Sequence, residues 1–230
     1  MKRFYTLVEA RGGDGGHEIF LDGRPVRTPA KAALQVPTPQ LAAAIVAEWE
    51  AQGEKVEPRS MPLTGLANAA IDRIGPDRDA FVRGLSVYGE TDLLCYRADS
   101  PAPLVDRQSE QWDPLLAWAR HRFDIDFEVV EGLMHREQPA CTVDRLRKAV
   151  ETRDAFALAG LSQLTTISGS LVIALALAED AFDGDTAWSA ATVDESWQIE
   201  QWGEDLDATR LLQSRRRDFE AALRFLKLLA

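Results

Sequence analysis

Six carboxylates, Asp194, Glu195, Glu200, Glu204, Asp205 and Asp207, crowd into one short stretch of the 230-residue chain, with Trp197 and Trp202 set among them. Side chains three or four positions apart share a helix face. On that spacing Asp194 and Gln198 lie one turn apart, with Trp202 and Asp205 near the same face. Glu195, Ile199, Trp202 and Leu206 form a second face. Paired carboxylates do general acid–base work when burial raises one pKa above the other. No basic residue accompanies these acids in sequence, and acids on a helix usually face solvent. Three of the six tryptophans, Trp188, Trp197 and Trp202, fall within 15 residues, and such amphipathic aromatics serve cores and interface hot spots alike. The residues favour a binding protein over an enzyme. Two other readings stay open. One is a small hydrolase or isomerase using carboxylates near a domain junction, which needs a deep cleft with two convergent acids. The other is an acidic scaffold for some basic partner.

Other chemistry finds little support. The sequence contains no GxSxG, no GxxxxGKS/T, no HExxH and no strand-linked GxGxxG. Gly12, Gly13, Gly15 and Gly16 surround Asp14, but no helix pattern follows to aim backbone N–H groups at a phosphate, so a hairpin turn is expected. His17, His121 and His135 have no ligand spacing, and neither a metal nor a cofactor is expected. Cys95 lies in an apolar run and reads as a small buried hydrophobe. Cys141 and His135 are the one pairing that suggests nucleophile and base, and an inert thiol is the plainer reading. Two cysteines outside any CxxC pair point to a reduced, cytoplasmic compartment.

Charge is segregated. Between residues 154 and 209 there are 11 acids and no Lys or Arg, whereas the other 26 acids match the 26 bases. The net charge of −11 therefore belongs to one segment. The closing stretch reverses sign, with Arg210, Arg215, Arg216, Arg217, Arg224 and Lys227 against Asp218 and Glu220. The block reads either as a solvated helical face partly neutralised by that basic helix, or as an acidic surface that steers a basic partner. The acidic balance argues against nucleic-acid or anionic-membrane binding. No uninterrupted apolar run is long enough to span a bilayer.

The elements that must position these residues follow from pattern. Residues 4–9, 17–21, 25–28 and 34–36 read as strands, with turns at Asp14 and at Asp22-Gly23. Thr38-Pro39 starts a helix whose apolar face is Leu41, Ile45 and Trp49. Residues 62–74 form a second helix, and Gly75-Pro76 divides it from a third bearing Phe81, Val82, Leu85 and Tyr88. Strands are expected at 92–98 and 124–131, around a helix at 101–123 that restarts at Asp113-Pro114. Beyond Thr142 only helices are expected, at 143–152, 154–164, 168–182, 186–205 and 207–229. The stretch 168–178 is apolar nearly all round and reads as a central core helix. The fold class is α+β, with a β-rich N-terminal domain over 1–135 that also carries helices, and a helical C-terminal domain over 136–230.

Six strings in order carry a resemblance: residues 21–31 (LDGRPVRTPAK), 61–72 (MPLTGLANAAID), 91–98 (TDLLCYRA), 111–116 (QWDPLL), 168–171 (SGSL) and 194–203 (DESWQIEQWG). Together they resemble the assembly chaperones of the F-type ATP synthase that act on the alpha subunit, over nearly the whole chain. The resemblance implies a non-enzymatic protein with a β-rich N-terminal and a helical C-terminal domain. It implies that the chain binds unassembled alpha subunit and prevents its aggregation until the beta subunit replaces it. An acidic residue of the late helical motif is implicated in the family, which places the expected partner contact on Asp194, Glu195, Trp197, Gln198, Glu200 and Trp202. The lack of a mitochondrial presequence implies a bacterial, cytoplasmic member, monomeric when free.

Overall fold

The computed structural model describes residues 2–132 and 134–230; Met1 and Leu133 lie outside the described residues. The chain is α+β: a small antiparallel sheet near the N-terminus is followed by helices. It gathers into two compact units. The first comprises Met1–Arg78, Asp154–Gly160 and Arg224–Ala230, and the second Asp79–Arg153 and Leu161–Leu223.

In the first unit, β1 (Val8–Gly13) and β2 (Gly16–Leu21) form a hairpin in the register Val8↔Leu21 to Gly13↔Gly16. β2 also pairs with β3 (Arg24–Pro25) and β4 (Gln35–Val36). Gly16 has φ +125°, and a Cβ there would stand 2.5 Å from the Val36 carbonyl oxygen, so only glycine fits this crossing. The strand expected at 4–9 begins later, at Val8. The Thr6 and Leu7 N–H groups donate instead to the Asp22 carboxylate (3.1 and 2.8 Å), and these bonds hold that carboxyl below its ordinary pKa. The strand expected at 25–28 shortens to β3, with Arg27 making only an isolated bridge to Ala33.

Helix α1 (Pro39–Glu50) starts as expected: Thr38 Oγ1 accepts from Leu41 N, Pro39 takes the first turn, and Leu41, Ile45 and Trp49 are buried. Glu48 caps α2 (Pro62–Ala69) by accepting from the N–H groups of Leu63 (2.7 Å) and Thr64 (2.8 Å). α2 runs on into a single wider turn, Ala70–Ile74, so the expected helix over 62–74 contains a π turn. Late segments complete this unit: Phe156 stacks on Phe225, and Thr38 Oγ1 donates to the Leu228 carbonyl at 2.5 Å.

The second unit is built on α4 (Ala102–Phe123) and α7 (Leu171–Ala178). Every residue from Leu171 to Leu177 is at most 2% exposed, so α7 is the central helix its apolar sequence implied. α4 does not restart at Pro114. Proline removes one N–H from the ladder, while buried Trp112, Leu115, Leu116 and Ala119 anchor the helix on both sides. Asp113 accepts from Arg97 (2.7 Å) rather than capping a new turn.

The two strands expected around α4 are almost absent. Residues 93–95 form a 3-10 turn and only β5 (Tyr96–Arg97) pairs, in parallel, with β6 (Val130–Glu131). Asp92, 0% exposed, forces the turn: its carboxylate accepts from Leu94 N (3.2 Å) and from Val172 N (3.0 Å) at the head of α7. In 124–131, Ile125 and Phe127 are buried without a ladder partner.

The remaining helices are α3 (Arg78–Ser86), α5 (Ala140–Glu151), α6 (Ala155–Ser168), α8 (Gly184–Ala191), α9 (Val193–Trp202) and α10 (Leu206–Lys227). The single helix expected at 186–205 is therefore two. Asp183 caps α8, accepting from Asp185 N and Thr186 N (both 2.9 Å), and Thr192 leaves helical geometry (φ −125°, ψ 21°) before α9 begins. Gly203, at φ +86°, ends α9, and Asp205 caps α10 through Asp207 N (2.9 Å) and Ala208 N (2.8 Å).

Candidate partner-binding site

α9 carries all six residues expected to make partner contact, and the fold treats them unequally. Arg107 on α4 grips Glu200 with two bonds, 2.7 and 2.8 Å, which hold the glutamate below its ordinary pKa. Its guanidinium also lies 5.2 Å from the centre of the Trp197 indole. Arg215 on α10 holds Glu195 at 2.9 Å and donates a second bond to the Ile167 carbonyl (3.0 Å). Asp194 has no such cation among the described residues; it accepts from the neutral amide of Gln108 at 2.7 Å. Gln198 is exposed, and Trp202 is 79% exposed.

The three tryptophans divide. Trp188 packs edge-on against buried Phe219 (5.3 Å) beneath Arg216, so it belongs to the core side. Trp197 is half-buried. Trp202 projects, and sequence reading left two exposed apolar residues of α10 out of the site: Leu211, 64% exposed, which shares a recess with Trp202, and Leu206, 71% exposed at the head of the helix. The signal for Leu211 was present. Adjacent Leu211 and Leu212 cannot both face the interior of one helix. Arg107 and Gln108 were also missed, because nothing in the sequence links α4 to α9.

Two recesses flank Trp202. One is a cleft of about 670 Å³ bordered by Asp99, Asp194, Trp197 and Trp202. The other, of about 280 Å³, is lined by Ile199, Trp202, Ala208, Leu211 and Leu212, with Glu195 and Arg215 at its edge. Buried chemistry elsewhere is spent. Burial, and then the nearby Asp92 charge, push the Cys95 thiol up to about 12, where it is a poor nucleophile. Burial pushes Asp92 up to about 6 against hydrogen bonds that favour its ionised form, but it is closed off from solvent. An acid–base pair on α9 would need free carboxylates, and Glu195 and Glu200 are each held by an arginine.

The 11 acids of residues 154–209 are likewise mostly committed. Glu179 binds Arg122 and Arg153, Asp185 binds Arg216, and Asp207 binds Arg210. Asp154, Asp183 and Asp205 accept backbone N–H groups at helix starts. Among the described residues no helix is long and apolar enough to cross a membrane, and no group of three or more His, Cys, Asp or Glu side chains is placed to hold a metal ion.

Comparison with known proteins bears on this geometry. A family model described as the ATP12 chaperone protein matches residues 2–120. Among solved structures, Atp12 from Paracoccus denitrificans superposes with a TM-score of 0.94 at 39% identity, covering 100% of this chain and 98% of that one. An aspartate-to-lysine variant of the same Paracoccus protein matches equally well. A candidate chaperone from Agrobacterium tumefaciens superposes with a TM-score of 0.95 at 42% identity, covering 100% of this chain and 86% of that one.

Proposed function

The chain belongs to the ATP12 chaperone family, and on that premise we propose that it binds the unassembled alpha subunit of the F-type ATP synthase and keeps it from aggregating until the beta subunit replaces it. The observation that carries this reading is the α9–α10 surface. Trp202, Leu206 and Leu211 are large apolar side chains at least 64% exposed, beside a helix bearing Asp194, Glu195 and Glu200. Such a patch on a folded protein marks a protein-binding surface. A ring subunit waiting for its neighbour exposes the apolar interface that neighbour will cover, and such surfaces aggregate.

Holding and releasing a client needs an interface of moderate strength. An aromatic anchor supplies contact area at small entropic cost, and acidic neighbours speed encounter and reject wrong partners. Release needs no nucleotide, because a beta subunit competing for the same surface drives it by mass action. The function is non-enzymatic and cytoplasmic, carried out by a monomer. Asp194, Glu195, Trp197, Gln198, Glu200 and Trp202 make the contact, and Leu206 and Leu211 extend it.

The test is light scattering of freshly diluted alpha subunit with one equivalent of the chain. Suppressed scattering and a defined complex on size exclusion are expected. Trp202→Ala, at a site 79% exposed, should change folding stability by less than about 0.5 kcal/mol and weaken that complex. Unchanged scattering and no complex at low or moderate salt would overturn the proposal.

A further inference from the structure

Resting on the partner-binding reading above, we infer that the two recesses beside Trp202 recognise a neighbouring pair of side chains on one partner segment, an arginine in one and a large aliphatic residue in the other. The argument starts from unspent charge. Glu195 and Glu200 on α9 each have an arginine at 2.9 Å or less. Among the described residues Asp194 is paired with the Gln108 amide and with no cation. Gln108 is 2% exposed, and its carbonyl end accepts from Ala98 N at 2.8 Å, which fixes its nitrogen toward Asp194. A neutral donor leaves the carboxylate's charge intact.

That charge borders the 670 Å³ cleft, as does Asp99, which accepts from the Ser100 hydroxyl (3.1 Å) and has no cation partner among the described residues. Among the described residues the cations at this wall are already engaged: Arg107, over the Trp197 ring, is bound to Glu200, and Arg97 lines the cleft itself. Arg97, 8% exposed, donates to Asp113 (2.7 Å) and to the Leu94 carbonyl (3.1 Å), with its guanidinium 5.1 Å from the Trp112 ring centre. The cleft therefore presents two carboxylates without a cation partner among the described residues, next to the indoles of Trp197 and Trp202. Carboxylates beside aromatic faces suit a guanidinium, which pairs in its plane and stacks on its face. A lysine would satisfy the charge and forgo the stacking.

The second recess differs in chemistry. Ile199, Ala208, Leu211 and Leu212 give it an aliphatic wall. Trp202 lines both recesses, so a segment crossing it sets one side chain on either side of the indole. This arrangement selects a partner segment by the juxtaposition of a basic and an aliphatic residue, not by net charge alone.

The experiment titrates the full-length chain, labelled at its indole nitrogens, with acetyl-Leu-Arg-amide and acetyl-Leu-Glu-amide, following the Trp197 and Trp202 indole N–H signals by NMR. The arginine probe should give saturable shifts of both indoles, with a dissociation constant on the order of millimolar for so small a ligand. The glutamate probe should bind about fivefold more weakly or less tightly still. Asp194→Asn should abolish the difference between the probes while leaving thermal unfolding unchanged. Equal binding of the two probes, or no saturable shift with the arginine probe, overturns the inference. A parallel arm measures alpha-subunit complex formation by the same proteins. If wild type and Asp194→Asn bind the subunit equally, the pocket assignment fails and the chaperone reading stands. If the probes discriminate but no subunit complex forms, the pocket assignment stands and the chaperone reading fails.

Discussion

At Asp92 burial works against four donors, the Leu94, Leu171 and Val172 backbone N–H groups and the Ser170 hydroxyl, and burial prevails: the carboxyl is pushed up to about 6. In the unfolded chain the same group titrates near the ordinary value of 3.8. Between these two values the folded chain holds a proton that the unfolded chain has released. The stability this group confers is therefore complete below the unfolded value and is lost as pH rises through about 6. Two pKa units correspond to about 3 kcal/mol. Urea unfolding of wild type and Asp92→Asn should show wild type gaining up to about that much relative to the variant as pH falls from 7 to 4. Parallel pH curves would mean that the carboxyl is not the titrating group. The residue scale is also where sequence reading was least able to assign roles. It named Asp194, Glu195 and Glu200 as equals, because their difference lies in Gln108, Arg107 and Arg215, on other helices.

Elements were legible where local chemistry decides them. Thr38-Pro39 and Asp22-Gly23 each specify their structure from neighbouring residues and appear as expected, while the apolar helix expected at 168–182 is central but shortens to α7, because Ser168 closes α6, Gly169 turns at φ +70° and Ser170 caps the new helix. Elements failed where a distant group decides. The segments 92–98 and 124–131 read as strands, the second by alternation, yet Asp92 is drawn to the head of α7 and the first becomes a turn. Pro114 reads as a helix start until the packing of Trp112 and Leu115 is known. The helix expected at 186–205 breaks at Thr192, which carries no obvious stop signal, and its end is set by Gly203, with Asp205 already capping α10. α7 offers the sharpest test at this scale. Leu175 is 0% exposed on a helix buried all round, so no neighbouring face can relax toward solvent to fill a void. Leu175→Ala should cost about 3–5 kcal/mol, read as a fall in the urea midpoint with an unchanged slope. A loss under about 1 kcal/mol would mean that the surrounding helices collapse onto the site.

Across the whole molecule, the tally of 11 acids and no Lys or Arg in residues 154–209 overstates the acidity of the surface that segment forms. The acidic segment holds no base of its own, but Arg107, Arg122, Arg153, Arg215 and Arg216 reach it from either side in sequence and neutralise Glu200, Glu179, Glu195 and Asp185. What remains for long-range attraction is the surplus beyond these pairs. The association rate with the proposed client, the alpha subunit, should fall several-fold between about 50 and 500 mM salt, with a smaller change in dissociation, as stopped-flow mixing would read. A rate indifferent to salt would assign encounter to the apolar surface alone. The order in which the units are completed has its own consequence. The first unit draws on Arg224–Ala230, and its α1 cap residue Thr38 donates to the Leu228 carbonyl. On a ribosome the sheet and α1 emerge on the order of ten seconds before that carbonyl exists. The nascent N-terminal portion must therefore wait, unfinished, through synthesis of nearly all the second unit, and a chain stalled shortly before its last helix turn would leave the tunnel with its first-made part still open.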